Sequence, residues 1–477
     1  MDFVNDVFTF LANNVFGQVP ILIGLITLVG LLLQRKRFED TLAGALRATI
    51  GVVILFIGIE VFTGGLTSFQ TVLADAMGTT PPKAERTLAD FLQTQGGTIA
   101  LVLTTAFLVH VALVRLFPAA RYLYLTGHLM FWISAVTVAS LVTLAPRANQ
   151  LTLVLCGAGF VAVYWTLQPL WMRPLMHRVM PDDRFGYAHT SSLACVLTGY
   201  VARPLGDRDR HDTEKVQLPR QLSFFKDVNV STALIISVIM LIGVALADDA
   251  VVAKQAAELD PKISPWVWGL LVGLRFAGGI AILLYGVRMF LAEIVPAFKG
   301  ISDKVIPGTR PALDAPTVFP VAPTAVMIGF VSATGVFLAL LGLFATAGWF
   351  TLAPPMIMLF FVGGAVAVFG NAVAGWRGAV IGGALTGLVL AVGQAITWDV
   401  YARTAPELAT LADPDWYAIA WLFKALDPVL GGNAIWAIPV VALGAAAVTL
   451  LLLGRRESRR LGEPEGRPAA EARSEGA

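Results

Sequence analysis

The chain has 477 residues, of which 57% are hydrophobic and only 14% charged, and its mean hydropathy is +0.74. An ordinary soluble domain carries about 25% charged residues, so a soluble globular fold is excluded, and a net charge of +2 gives no footing for nucleic acid. Several apolar runs reach the roughly 20 residues that cross a bilayer as a helix. None shows the alternating segments of about ten residues that build a membrane barrel, so the chain reads as an all-α polytopic membrane protein.

The first stretch, "MDFVNDVFTFLANNVF", has neither a basic leader nor a small-residue cleavage site and is expected to be an amphipathic helix before the first span. Eleven spans follow, at 19–33, 41–67, 97–116, 122–145, 149–171, 230–249, 265–295, 325–349, 354–374, 378–399 and 432–454. The large basic clusters (Arg35 to Arg37, Arg173 to Arg184, Arg203 to Lys226, Lys299 to Arg310, Arg377, and Arg455 to Arg460) all fall on one side of such a chain. That asymmetry predicts the N-terminus outside and the C-terminus inside. The loop 400–431, with Glu407, Asp413, Asp415 and Asp427, is then an acidic outer loop. Cys156 and Cys195 sit in apolar segments without paired spacing, which predicts neither disulfide nor zinc site.

Two stretches fit no plain span. "GYAHTSSLACVLTGYVARPLG" (186–206) is short and carries polar residues, and "PALDAPTVFPVAPT" (311–324) holds four prolines, too many for a continuous helix. Irregular backbone at membrane depth survives only where it is buried in protein or lines a cavity, so both read as re-entrant hairpins or broken helices of the kind that form transporter sites. One lies in each half, and "RFEDTLAGALRATIGVVILFIG" is loosely similar to "GWRGAVIGGALTGLVLAVG", which predicts an internal repeat. The membrane-embedded part is expected to cover residues 1–454, and the polar tail 455–477 to be disordered.

Ionisable residues inside such segments are costly and therefore candidates for function. His128, in "YLTGHLMFW", is either an interfacial histidine bonded to backbone or a solute contact, with Gly127 allowing close approach. His189, followed by Thr190, Ser191 and Ser192, suits a polyhydroxylated solute at the tip of the first hairpin, or else is part of a solvated loop before a helix cap. Asp314 in "LDAPT" can cap a short helix or accept solute hydroxyls. Glu60, deep in the second span, must pair, accept hydrogen bonds or hold a proton, and Arg275 is a candidate counter-charge. Arg288 and Glu293 read as structural or snorkelling, and Asn371 as a turn residue. The chain contains no phosphate-binding loop, no zinc-protease motif and no nucleophile elbow. His128, His189 and Asp314 lack the local spacing of metal ligands, so no metal or other cofactor is expected. A permease for a polar solute remains, with an uncoupled or proton-coupled carrier using Glu60 as the alternative.

The segments "LTGHLMF" (125–131), "LPRQLSFFKDVNVSTALI" (218–235), "GVRMFLAEIVPAFKGISDKVIPGTRPALDAPTVFPVAPTAV" (286–326) and "VFGNAVAGWRGA" (368–379) resemble the ascorbate permeases, the IIC components of L-ascorbate phosphotransferase systems. The likeness runs from about residue 8 to residue 454. It implies a homodimer of eleven-span subunits in the bacterial inner membrane, with lipid around it. Each subunit would have a core domain, a V-shaped dimerisation domain and two re-entrant hairpins. It further implies elevator-type uptake of L-ascorbate and phosphorylation by separate cytoplasmic IIB and IIA proteins, the chain itself being a transport component and not an enzyme. Solute contacts implied by the resemblance are His128, His189 and Asp314. A family glutamine four residues after the first histidine is Trp132 here, and one directly after the second is Thr190. A Thr-Tyr pair of the family falls near Thr79 and Thr80, and Glu60 stands where the family has a small residue. These departures bear on the solute, which the resemblance leaves as ascorbate or a related sugar acid.

Overall fold

A computed structural model describes residues 10–11, 14–15, 18–76, 78, 86–215, 228–306, 308–411, 413–430 and 435–462. Thr79, Thr80 and most of the expected N-terminal amphipathic helix lie outside them. The described chain is helical almost throughout, because a helix pairs its own backbone within the segment and so can cross lipid. In order it forms α1 (Val19–Leu33), α2 (Phe38–Ala76), α3 (Leu88–Leu116), β1 (Tyr122–Tyr124), α4 (Gly127–Leu144), α5 (Gln150–Val179), β2 (Gly186–Tyr187) and α6 (Ser192–Ala202). It continues with α7 (Val228–Leu246), α8 (Asp249–Ala257), α9 (Pro265–Lys304), β3 (Arg310–Leu313), α10 (Pro323–Thr346), α11 (Met356–Ala374), α12 (Trp376–Thr397), α13 (Pro414–Leu430) and α14 (Ala437–Gly462). Among the described residues nine helices are long and apolar enough to cross a membrane, and Pro20–Leu33 and Ile236–Leu246 are shorter apolar helices. The last helix runs on to Gly462, past the expected start of the tail at Arg455.

Two groups of helices emerge from the packing. α1, α2, α7 and α9 pack on one another, while α3 to α6 and α10 to α13 form the other group. In the first group small residues let backbones approach: a side chain on Gly58 would collide with the Leu283 amide, and one on Gly286 with that of Leu55. Glu293 of α9 closes this contact by pairing with Arg47 of α2 at 2.5 Å, in line with its structural reading. Asn371 is structural too, donating to Asp212 Oδ1 at 3.0 Å and accepting the Thr213 N–H at 3.0 Å.

The expected second hairpin, 311–324, is more ordered than its prolines imply. β3 lies between β1 and β2 in a parallel three-stranded sheet inside the helical shell, with Tyr124 beside Ala312 and Tyr187 beside Leu313. Residues 122–124, expected to open a helical span, belong to this sheet. Pro311 fits within β3 because β2 pairs only with Ala312 and Leu313, so at Pro311 the strand is still an edge on that side. Beyond β3 two single 3-10 turns, Ala315–Thr317 and Phe319–Val321, hold Pro316 and Pro320, and Pro323 opens α10. Phe319 anchors them, meeting Phe360 edge to face at 5.9 Å, while Phe276 of α9 meets Phe360 at 5.5 Å.

The opposite end of the sheet is tied by charge. Asp183, buried, accepts the Tyr122 hydroxyl at 2.5 Å, is ion-paired to Arg310 and has Arg173 at 3.8 Å. Asp183→Ala would strand a guanidinium and a phenol together, so the variant should lose about 3 kcal/mol, read as a lowered melting temperature of the purified protein. Asp182→Ala, at an exposed pair with Arg184, should change it by less than about 1 kcal/mol.

Candidate functional site

The three strands run in one direction, so their carboxyl ends deliver three chain segments to the same place. Tyr124 leads to His128 in the first turn of α4, Tyr187 leads through Ala188 to His189, and Leu313 leads directly to Asp314. The ladder continues past the strands, with Leu125 N–H donating to Ala312 O at 3.0 Å and Ala188 N–H to Leu313 O at 2.8 Å. Thr126 adds a cross-link, its hydroxyl donating to Ala188 O at 2.7 Å. The three residues singled out from sequence are thereby brought together. His128 Nε2 is 3.6 Å from Asp314 Oδ2, and His189 Nε2 is 3.8 Å from Asp314 Oδ1. Both gaps exceed the roughly 2.7–3.2 Å of a direct hydrogen bond. A hydroxyl group set beside such a pair can reach both, donating to the carboxylate and accepting from an imidazole N–H.

The structure shows Asp314 in the capping role offered for it by the sequence. Oδ1 accepts the Ala315 N–H at 2.7 Å and so caps the first 3-10 turn, while Oδ2 faces His128. His189 is buried, and its protonation pattern follows from its neighbours. The Ser191 N–H, which can only donate, points at His189 Nδ1 at 3.1 Å. Nδ1 is therefore the acceptor, and the ring proton sits on Nε2, facing Asp314. His128 is the most open of the three, with 42% of its side chain exposed. Trp132, one helical turn beyond it on α4, lies against Trp416 with ring centroids 5.7 Å apart.

Asp413 and Asp415 depart from expectation. The segment read as an acidic outer loop instead contains α13, which packs on α4, α6 and α12, and both aspartates are buried beneath the His189 turn at 2% and 1% exposure. Asp415 accepts the Leu193 N–H at 2.8 Å, the Tyr164 hydroxyl at 2.7 Å and the Ser192 hydroxyl, and its own N–H donates to Thr190 O at 2.9 Å. The Thr190 hydroxyl donates to Asp413 and so ties the His189 turn to the start of α13. The signal missed was the sequence "DPDWYAIAWLF": aspartates directly before an apolar helical run, where a helix start can meet another buried polar segment.

Glu60 and Arg275 lie at exposed positions on α2 and α9, and neither takes part in the hydrogen bonds or ion pairs given above for the site. Among the described residues no group of three or more His, Cys, Asp or Glu side chains is arranged to hold a metal ion. Asp415→Ala would leave two hydroxyls and an amide without their acceptor. It should cost about 3 kcal/mol of thermal stability, with Asp415→Asn, which keeps one carbonyl acceptor, losing less in the same melting experiment.

The chain matches the PTS system sugar-specific permease components over residues 14–415. It is also 26% identical over 435 residues to the ascorbate-specific PTS system EIIC component of Mycoplasma pneumoniae, an alignment that covers 79% of this chain and 65% of that protein. It thus spans a little under two thirds of that relative's length. A family match over most of the chain, together with a polytopic helical fold that gathers its polar residues in the interior, means that the protein belongs to the PTS sugar-specific permease (EIIC-GAT) family.

Proposed function

We propose that the protein is the membrane permease of a phosphotransferase system and takes up L-ascorbate or a related sugar acid. The observation that carries this reading is the placement of the Asp314 carboxylate 3.6 and 3.8 Å from two imidazole nitrogens. Adjacent hydroxyls of a small polyol or enediol lying beside these pairs can bridge them, donating to Asp314 and accepting from the Nε2–H of His189. His128, open on one side, supplies a further polar contact. Trp132 against Trp416 presents an aromatic face beside them, a surface on which a sugar or lactone ring stacks. The relative of Mycoplasma pneumoniae is named as ascorbate-specific, which favours ascorbate within the class.

Chemistry on the solute is assigned to partners. A cytoplasmic IIB protein, recharged by IIA, would phosphorylate the solute as it leaves the site, and the permease would supply binding and passage. The division into an α1, α2, α7 and α9 group and a site-bearing group supports movement of one group against the other, as in an elevator. In the same reading the first group makes a homodimer contact in the bacterial membrane, with the N-terminus outside and the C-terminus inside. Thr79 and Thr80 are kept as candidate contacts from the outer loop.

Vesicles holding the chain, supplied with its IIA and IIB proteins and phosphoenolpyruvate, should accumulate phosphorylated ascorbate or a phosphorylated sugar acid. Absence of any phosphorylated product across a panel of sugar acids would refute the reading. In equilibrium binding, Asp314→Asn and His189→Ala should each weaken the solute by about 10- to 100-fold, the span of a lost charge-assisted hydrogen bond of about 1.5–3 kcal/mol. Trp132→Gln should change the ranking of sugar acids more than it changes the melting temperature, measured on the same preparations.

A further inference from the structure

Of the two aspartates at the start of α13, only one is satisfied. Asp415 has three donors. Asp413 accepts the Thr190 hydroxyl on Oδ2, while its Oδ1, buried, has no hydrogen-bond partner among the described residues. An ionised carboxylate with a bare buried oxygen forfeits its hydration, and the described surroundings do not return it. Asp413 stands where it could cap α13, yet the helix does not use its side chain. The Asp415 N–H goes to Thr190 O, and the Trp416 N–H goes to the main-chain carbonyl of Asp413.

No cation faces it either. His189 Nδ1 is 3.9 Å from Asp413 Oδ2, but that nitrogen already accepts the Ser191 N–H and bears no proton. The remaining charged or titratable groups within its reach are Asp415 on α13, Asp314 after β3, Tyr124 of β1, Tyr187 of β2 and Tyr417 of α13. None is a lysine or arginine. Other buried polar atoms around the His189 turn also lack hydrogen-bond partners among the described residues, including Tyr124 Oη, Gln168 Oε1 and Trp416 Nε1. Gln168 belongs to this region because its amide donates to His189 O at 3.3 Å.

The consequence follows from charge, and it rests on the solute reading above. A sugar acid is an anion at neutral pH, and it would enter beside three aspartates and a neutral His189. We propose that Asp413 is a proton-binding site and that an anionic solute binds together with one proton taken up from solution onto the Asp413 carboxylate. The proton adds to the bare Oδ1, removes a charge that lies 3.9 Å from the His189 ring and leaves again with the solute. Because the bound state holds one more proton than the free state, affinity is highest at low pH and falls as pH rises, by up to about tenfold per pH unit.

The test is calorimetric titration of ascorbate into the purified full-length chain, in buffers of different ionisation enthalpy and across a pH series. About one proton should be taken up per solute bound. Asp413→Asn, an isostere that is neutral at every pH, should bind without proton uptake and with an affinity that no longer depends on pH. Infrared difference spectra of the unmutated protein give a second measure, in which solute addition should raise a protonated-carboxyl band. Binding with no proton uptake, uptake unchanged in Asp413→Asn, or an affinity that follows sodium concentration instead of pH would each overturn the proton site while leaving the solute reading standing. No binding of any sugar acid would remove the solute reading and the proposal together.

Discussion

Everything at the centre of this molecule hangs on the parallel pairing of three short strands within a shell of helices. Away from water an unpaired peptide group costs several kcal/mol, so non-helical chain in the interior must find backbone partners. β3 finds them on both sides, in β1 and β2. Parallel direction then has a geometric result that antiparallel pairing would not: three segments far apart in sequence leave the sheet at one end. His128, His189 and Asp314 meet because hydrogen bonds of the main chain put their strands in register. Asp183, Arg310 and Tyr122 fix the other end, so the sheet is tied at its base and presents its polar residues at its tip.

The tip is completed by a second junction. The turn after β2 and the start of α13 exchange hydrogen bonds in both directions, main chain to main chain and through Asp415. The Thr190 hydroxyl binds Asp413 and helps hold the turn in place. Trp132 packs against Trp416, so an aromatic surface of α4 and α13 stands beside the carboxylate and imidazoles at the tip of the sheet.

Much of this was legible in the chain, for definable reasons. The helical membrane class follows from long apolar runs, and the oddity of 186–206 and 311–324 follows from prolines and polar residues where a helix would not tolerate them. His128, His189 and Asp314 stood out because ionisable side chains in such segments need a purpose. Asp413 and Asp415 did not stand out, since charge counts in a 32-residue loop region (400–431) look the same whether the aspartates face water or a buried hairpin. The strands escaped notice as well, being three, two and four residues long, too short for any period-two pattern to register.

The sequence by itself determined the membrane class, the approximate placement of the spans and the three polar residues of the interior. These depend on local chemistry, namely hydrophobic length, proline and unpaired charge, which each segment carries regardless of its neighbours. Only the tertiary structure decided that the three residues share one site, that the proton of His189 lies on Nε2, and that Asp413 is buried with one oxygen bare. The His189 tautomer depends on the turn that sets the Ser191 N–H against Nδ1, and the other two facts depend on contact between segments distant in sequence, which is a property of the packed chain.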